Sequence, residues 1–284
     1  MSKPFIVLQT DFSLSTGYVA AMYGVIKLVD RSLGVFDLNH NVRQYDVRQA
    51  SELLRATIPY WPAATVFVSV VDPGVGTKRR SAVALLKNGS YVVTPDNGSL
   101  TALIEDIDEV REIDESTNRL PGSEHKNTFH GRDVYAYCAA KLASGQISYE
   151  EVGPQYAVSD CVLYEFKRAT LSQGRAEGCI LDASEHFGNV SFNITVAEFM
   201  SIGIKEGDRV RLRIRREEEI IFDETVLYHR SFGFVDIGEP ILFNGSTSEY
   251  LGFGLNQRSF VAKYLQDISE KGHSACEYKV LIEK

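Results

Sequence analysis

The sequence predicts an N-terminal α/β layer domain followed by a smaller, mainly β domain. Two observations carry this. Through the first half, runs with strand character alternate with runs of helical spacing, as in a sheet covered by helices. From about Cys179 the apolar runs become short, β-rich and broken by turn residues. At 284 residues the chain is long for one compact domain and comfortable for two. The expected bounds are 1–165 for the α/β domain and 173–284 for the β-rich one, with a crossing segment from 152 to about 172.

Taken in order, residues 5–8 are an apolar strand that exits through Gln9-Thr10-Asp11. Residues 18–28 place Val19, Met22, Val25 and Ile26 on one helical face. Residues 35–38 form a second strand. Asp46 with Gln49 three residues on reads as a capping box that opens a helix to about Tyr60. Residues 65–71 are rich in β-branched residues and carry no charge, the mark of a buried strand. Strands 82–86 and 91–94 flank Asn88-Gly89, a strong hairpin signal. Residues 134–142 read as a helix that stops near Gly145. In the second part, 210–214, 232–235, 241–243 and 278–282 read as strands.

Composition narrows the function classes. Apolar residues at 44% and charged residues at 24% are ordinary for a globular protein and leave no long disorder to expect. A net charge of -8 argues against nucleic acid, whose backbone needs clustered Lys and Arg. The one dense basic run, Arg209 to Arg216, alternates with apolar residues and meets Glu217-Glu218-Glu219, so it reads as a half-exposed strand entering an acidic turn. Cysteines 138, 161, 179 and 276 form no CxxC pair and read as reduced, mostly buried thiols. Met1-Ser2-Lys3-Pro4 leads straight into a strand without a signal-peptide core, and no apolar run approaches the ~20 residues of a membrane span. The expectation is a cytoplasmic protein with no membrane partner.

Several strand-end segments carry polar chemistry. Asp11 follows the first strand, where ligands of open α/β sheets bind; it suits a pair of ribose hydroxyls, or a helix N-cap or turn. Asp72-Pro73-Gly74-Val75-Gly76-Thr77 offers a carboxylate, a rigid turn and glycines for close backbone approach, or a plain surface turn; it is neither a Walker A loop nor GxGxxG. Pro95-Asp96-Asn97-Gly98 is ordinary turn chemistry. Phe129-His130-Gly131-Arg132-Asp133 sets a histidine at a helix start, in a catalytic or a structural role. His186-Phe187-Gly188-Asn189 offers an amide suited to a planar base, or a bulge. No HxxxH, HExxH or GxSxG spacing occurs, so no metal site is expected.

Taken together and in order, Thr10-Asp11-Phe12, Asp37-Leu38-Asn39-His40 running to Tyr45-Asp46-Val47, Val71-Asp72-Pro73-Gly74-Val75-Gly76-Thr77-Lys78-Arg79, Pro95-Asp96-Asn97-Gly98, Phe129-His130-Gly131-Arg132-Asp133 and Phe187-Gly188-Asn189 resemble the SAM hydroxide adenosyltransferases. These adenosine-forming hydrolases of S-adenosyl-L-methionine (SAM) are relatives of the SAM-dependent fluorinase and chlorinase. The resemblance implies an α/β domain with a central sheet flanked by helices, a barrel-like C-terminal domain and a homotrimer with sites between subunits. SAM is then the substrate, adenosine and L-methionine the products, and no cofactor is involved. By motif, Asp72, Arg79 and His130 match a water-preparing triad. Asp11 matches the ribose carboxylate, Tyr45 an aromatic that packs on the nucleoside, and Phe187 and Asn189 the adenine-reading segment. Asn97, Phe129, Glu185 and Thr247 complete the implied substrate-binding set. Glu185 stands where the family usually has Asp, and residues 246–251 match Asn-Ser-x-Gly-Tyr-Leu only loosely.

The chemistry suits these residue types. SAM is a sulfonium, so its leaving group is a neutral thioether and departure needs no general acid. What is needed is a water aligned behind the ribose 5′ carbon, and Asp72 or His130 to take its proton. Arg79 would orient Asp72 and favour a partly formed hydroxide. Two alternatives stand beside hydrolysis: halide transfer, which an Asp72 carboxylate at the site opposes, and SAM binding without turnover.

Overall fold

A computed structural model describes residues 3–184, 186–246, 248–266, 268 and 275–284. The chain divides into two compact units, Met1–Glu165 and Phe166–Lys284.

The first unit is an α/β layer structure. Its strands are β1 (Ile6–Thr10), β2 (Val35–Asn39), β3 (Val66–Val70), β4 (Ser81–Leu86), β5 (Tyr91–Pro95), β6 (Ile107–Glu112) and β7 (Gln155–Tyr156). They form one sheet in the order β2-β1-β3-β5-β4-β6-β7. The first four in that order run parallel, and β4, β6 and β7 extend the sheet antiparallel. β1 and β3 are buried at every position, as strands covered on both faces must be. Their alternate residues go to different layers. Ile6, Leu8, Val66 and Val68 pack with Met22 and Ile26 of helix α1 (Tyr18–Val29). Val7 and Phe67 pack with Leu54 of helix α2 (Val47–Thr57). Because β1, β3 and β5 are parallel, their carboxyl ends share one edge of the sheet. Asp11, Asp72 and Asn97 follow those ends, which is where open α/β sheets bind ligands.

Two details of this unit depart from expectation. The Asp46 side chain does accept from the Gln49 amide, but Gln49 Oε1 accepts from the Arg43 amide at 2.8 Å, so the capping box is only half closed. The helix expected from 134 begins earlier, as a six-residue π-helix over Gly131–Ala136. It follows the short helix α3 (Glu115–Asn118) and its loop, and it runs directly into α4 (Tyr137–Ser144). Gly145 closes α4 at φ 73°, a conformation cheap only for glycine.

The second unit is a barrel. Its strands are β8 (Thr170–Ser172), β9 (Arg175–Ala183), β10 (Val190–Thr195), β11 (Arg209–Arg216), β12 (Glu219–Tyr228), β13 (Pro240–Asn244), β14 (Tyr250–Leu255) and β15 (Tyr278–Glu283). The order β10-β14-β13-β12-β11-β15-β9 closes when β9 pairs back on β10, and β8 adds to β9 outside the ring. Helix α5 (Val196–Ser201) carries a full capping box, Thr195 with Glu198, and α6 (Phe260–Tyr264) follows β14. Strict alternation sends Val210, Leu212 and Ile214 inward among Phe192, Phe222, Phe253 and Phe260. The outward arginines of β11 are partly neutralised in place: Arg211 and Arg213 both pair with Asp223 of β12. Residues 232–235 are not a strand. Ser231 Oγ accepts from the Gly233 amide, turning Phe232–Phe234 into a 3₁₀ turn, and the apolar rings that suggested a strand pack on Phe243 and His229 instead. Among the described residues no helix is long and apolar enough to cross a membrane.

Candidate active site

The Asp72-to-Arg79 loop leaves β3 and folds back on itself. Thr77 donates through both its amide and its hydroxyl to the Gly74 carbonyl, at 3.2 and 2.7 Å. Gly76 sits at φ 76°, and a Cβ there would lie 2.6 Å from the Asn127 carbonyl oxygen, so only glycine fits under that loop. This fold-back delivers Arg79 to Asp72 as a two-pronged pair. Nε donates to Oδ1 at 2.7 Å, and Nη2 donates to Oδ2. The side chains are only 10% and 6% exposed, so each charge depends on the other.

His130 completes the cluster from 51 residues away, with Arg79 Nη2 3.3 Å from its Nδ1. A guanidinium can only donate, so Nδ1 must present its lone pair. A neutral imidazole in that arrangement carries its hydrogen on Nε2. Nε2 is buried and has no partner among the described residues, which leaves a donor aimed away from Arg79. Burial pushes His130 below its ordinary value of 6.5; the guanidinium groups of Arg79 and Arg119 act the same way, and Glu115 and Asp72 oppose them. The unfolded chain therefore binds this proton more readily than the folded one. Stability from this residue is complete above pH 6.5 and is lost as pH falls below it towards the folded value. Wild type should consequently lose more stability than His130→Gln between pH 7 and about pH 5, read as the change in urea midpoint; equal losses would contradict the neutral assignment.

The π-helix adds a residue that sequence reasoning did not single out. A helix bonded i to i+5 needs more than the 3.6 residues per turn of an α-helix, so residues five apart approach one face. Tyr135 therefore lies on the same side as His130, with its hydroxyl 3.4 Å from Asp72 Oδ2. Ser81 and Glu115 stand behind it and were likewise not singled out. Ser81 Oγ is 3.1 Å from Arg79 Nη1, 3.3 Å from the Tyr135 hydroxyl and 3.4 Å from Glu115 Oε1. Nothing in the local sequence around these three marks them; only the fold brings them together.

The other expected residues of this unit lie near the same sheet edge. Asp11 Oδ2 accepts from the Tyr45 amide at 3.0 Å. Burial pushes the Asp11 carboxyl up, the Tyr45 amide opposes this, and the Asp72 carboxylate adds to it. Tyr45 holds φ 66°, which is unusual for an aromatic residue, and the residue is 67% exposed. Strain of this kind collects at functional sites. Tyr45→Asn keeps the amide and tolerates the left-handed backbone while deleting the ring. It should raise KM for the ligand several-fold without lowering stability; a fall in stability with unchanged KM would make Tyr45 structural. Asn97 is engaged internally: Nδ2 donates to the Val71 carbonyl at 2.9 Å, and Oδ1 accepts from Ser99 Oγ at 2.6 Å. It fixes the backbone just before Asp72, and one amide hydrogen is left for a ligand. Phe129 packs edge-on against Phe12 and Tyr18, with the Arg132 guanidinium 4.8 Å from its ring centre.

In the second unit the Phe187-Gly188-Asn189 turn is seated tightly. A Cβ on Gly188 would meet Ser259 Oγ at 2.2 Å, and one on Gly254 would meet Asn189 Oδ1 at 2.1 Å. Phe187 is 71% exposed. Glu185 and Thr247 lie outside the described residues. Among the described residues no group of three or more His, Cys, Asp and Glu side chains is arranged to hold a metal.

Comparison with known proteins identifies the family. Residues 6–153 match the family model described as SAM hydroxide adenosyltransferase N-terminal domain. A protein from Salinispora arenicola named (R)-S-adenosyl-L-methionine hydrolase is 40% identical over 204 residues, spanning 71% of this chain and 76% of that one. A fluorinase from an Actinoplanes species is 26% identical over 290 residues, spanning 92% and 94%. A solved structure of an uncharacterized conserved protein from Thermotoga maritima matches with a TM-score of 0.85 at 30% identity, over 99% of this chain and 100% of that one.

Proposed function

The chain belongs to the SAM hydroxide adenosyltransferase family, and from that premise we propose that it hydrolyses SAM to adenosine and L-methionine. The observation that carries the proposal is the hydrogen bond from Arg79 to His130 Nδ1, because it divides the labour of the cluster. His130 Nε2–H donates to the attacking water and holds its lone pair toward the ribose 5′ carbon. Asp72, gripped at both oxygens by Arg79, takes the proton as the new C–O bond forms. The C5′–S pair leaves with sulfur, which becomes a neutral thioether. Alignment of water, carbon and sulfur supplies part of the ~7–11 kcal/mol available from positioning. Asp11 receives the ribose hydroxyls, Tyr45 covers the nucleoside, and Phe187 and Asn189 read the adenine. The reaction needs no cofactor, since the sulfonium is already an activated leaving group. The protein acts in the cytoplasm as a homotrimer with sites shared between subunits, as the family resemblance implies; a solution mass other than three chains would remove the trimer.

Product chromatography after incubation with SAM, alone and with fluoride or chloride, tests the reading. Adenosine plus methionine supports it. A 5′-halogenated adenosine would move the protein to the halogenases, and tight calorimetric binding of SAM without product would make it a binding protein. The division of labour has its own check. Glutamine can place an N–H near the Nε2 position, so His130→Gln should keep about tenfold more kcat than His130→Ala, a difference of about 1.4 kcal/mol in line with one hydrogen bond. Equal losses in the two variants would make His130 the base.

A further inference from the structure

Hydrolysis of a sulfonium to a neutral alcohol and a neutral thioether releases one proton per turnover. Asp72 takes that proton in a buried position and must be emptied before the next cycle. We propose that Tyr135, Ser81 and Glu115 form a proton exit from Asp72 to the cavity that Ser81 and Glu115 line. The proposal rests on the hydrolase reading above.

The path is continuous and runs from inside to outside. Tyr135 Oη lies 3.4 Å from Asp72 Oδ2, Ser81 Oγ lies 3.3 Å from Tyr135 Oη, and Glu115 Oε1 lies 3.4 Å from Ser81 Oγ. Asp72, Tyr135 and Ser81 are all buried, and the path reaches solvent only at its last member, Glu115, which is 34% exposed. Ser81 and Glu115 line a cavity of about 570 Å³, whose walls also include Arg79, Asp114 and Ser116. At rest the hydroxyls point inward: Ser81 donates to Tyr135, and Tyr135 donates to Asp72. Once Asp72 holds the proton the direction reverses, so that Asp72 donates to Tyr135, Tyr135 to Ser81 and Ser81 to Glu115, which releases it to water. No bond other than O–H forms or breaks. Each gap must shorten by roughly 0.6 Å to reach the usual O–H···O length, which small motions of hydroxyl-bearing side chains supply.

The surroundings fit this use. Burial pushes the Tyr135 phenol well above its ordinary value, so it passes a proton in one concerted hop and is not held as a phenolate. Arg79 Nη1 donates to Ser81 Oγ, which keeps the one serine hydrogen free to choose between Tyr135 and Glu115. Arg119 donates to Glu115 Oε2 at 2.6 Å and leaves Oε1 facing Ser81. The charged groups that face Glu115 are Arg119, His130 at 4.0 Å and, through Ser81, Arg79; Glu112 and Asp114 also line the cavity. His130 is not the exit, because its Nδ1 is occupied by Arg79.

The three residues act through Asp72 and are positioning residues, so the test must separate resetting from chemistry. Rapid-quench measurement of adenosine should show that Glu115→Gln performs its first turnover at the wild-type rate and then slows, a burst of about one adenosine per site. Steady-state turnover should fall by about 10- to 100-fold, the low end of what positioned proton transfer contributes. Formate, small enough for the cavity, should restore much of the steady rate in Glu115→Gln, and Glu115→Asp should retain most of it. Tyr135→Phe should give the same burst without rescue by formate. A Glu115→Gln protein with wild-type steady turnover, or one whose first turnover is slowed as much as later ones, overturns the exit path. If wild type itself makes no adenosine from SAM, the hydrolase reading falls instead.

Discussion

Asp72→Asn is expected to lower turnover of SAM to adenosine by about 10²–10⁴-fold while leaving KM nearly unchanged, the range for loss of a positioned proton acceptor. Asparagine keeps the size of the side chain and one oxygen to accept from Arg79, so the loop from Asp72 to Arg79 should hold its shape. What disappears is the carboxylate proposed to take the proton of the attacking water. The first turnover should be as slow as later ones, unlike the Glu115 variant, and formate should not rescue it, because the cavity walls include Ser81 and Glu115 and not Asp72. Initial rates across SAM concentrations check this; unchanged kcat would remove Asp72 from the chemistry.

Arg79→Ala is expected to cost about 3–5 kcal/mol of folding stability, because it strands a buried carboxylate without its partner. The pair is nearly enclosed, and Arg79 also donates to His130, to Ser81 and to the Arg80 carbonyl. One deletion therefore leaves several polar groups unpaired in the interior. Turnover should fall as well, since His130 loses the bond that fixes its tautomer. Arg79→Lys restores a charge without the planar fork and should recover only part of either quantity. Urea titration measures the stability loss. A midpoint within the scatter of wild type would mean that Asp72 finds another partner, and the account of this cluster would be wrong.

The α/β unit was largely legible in the sequence because its strands are buried on both faces. Residues 65–71 carry no charge to break the run, and the Asn88-Gly89 hairpin appears between β4 and β5 as expected. Residues 232–235 carry aromatic rings that suit a strand, but the Ser231 turn organises their backbone instead. In the active site, single segments said little. Asp72 alone was as readable as a turn, and His130 as a helix start. Arg79, which joins them, meets His130 across 51 residues, and only the combined order of motifs pointed to it. Tyr135, Ser81 and Glu115 were invisible for a physical reason: their proximity depends on a π-helix, a fold-back loop and a neighbouring strand, none of which leaves a local pattern. The left-handed backbone of Tyr45 was hidden in the same way.

The π-helix at Gly131–Ala136 also sets which changes this region can absorb over evolutionary time. An i to i+5 bonded turn encloses one more residue than an i to i+4 turn. Removing any single residue here would let the segment relax into ordinary α geometry, and the histidine and tyrosine would rotate apart although neither had been altered. Side-chain replacements that keep the count leave the frame intact. The segment is therefore more sensitive to changes of length than of identity, and relatives should vary in letters here well before they vary in number.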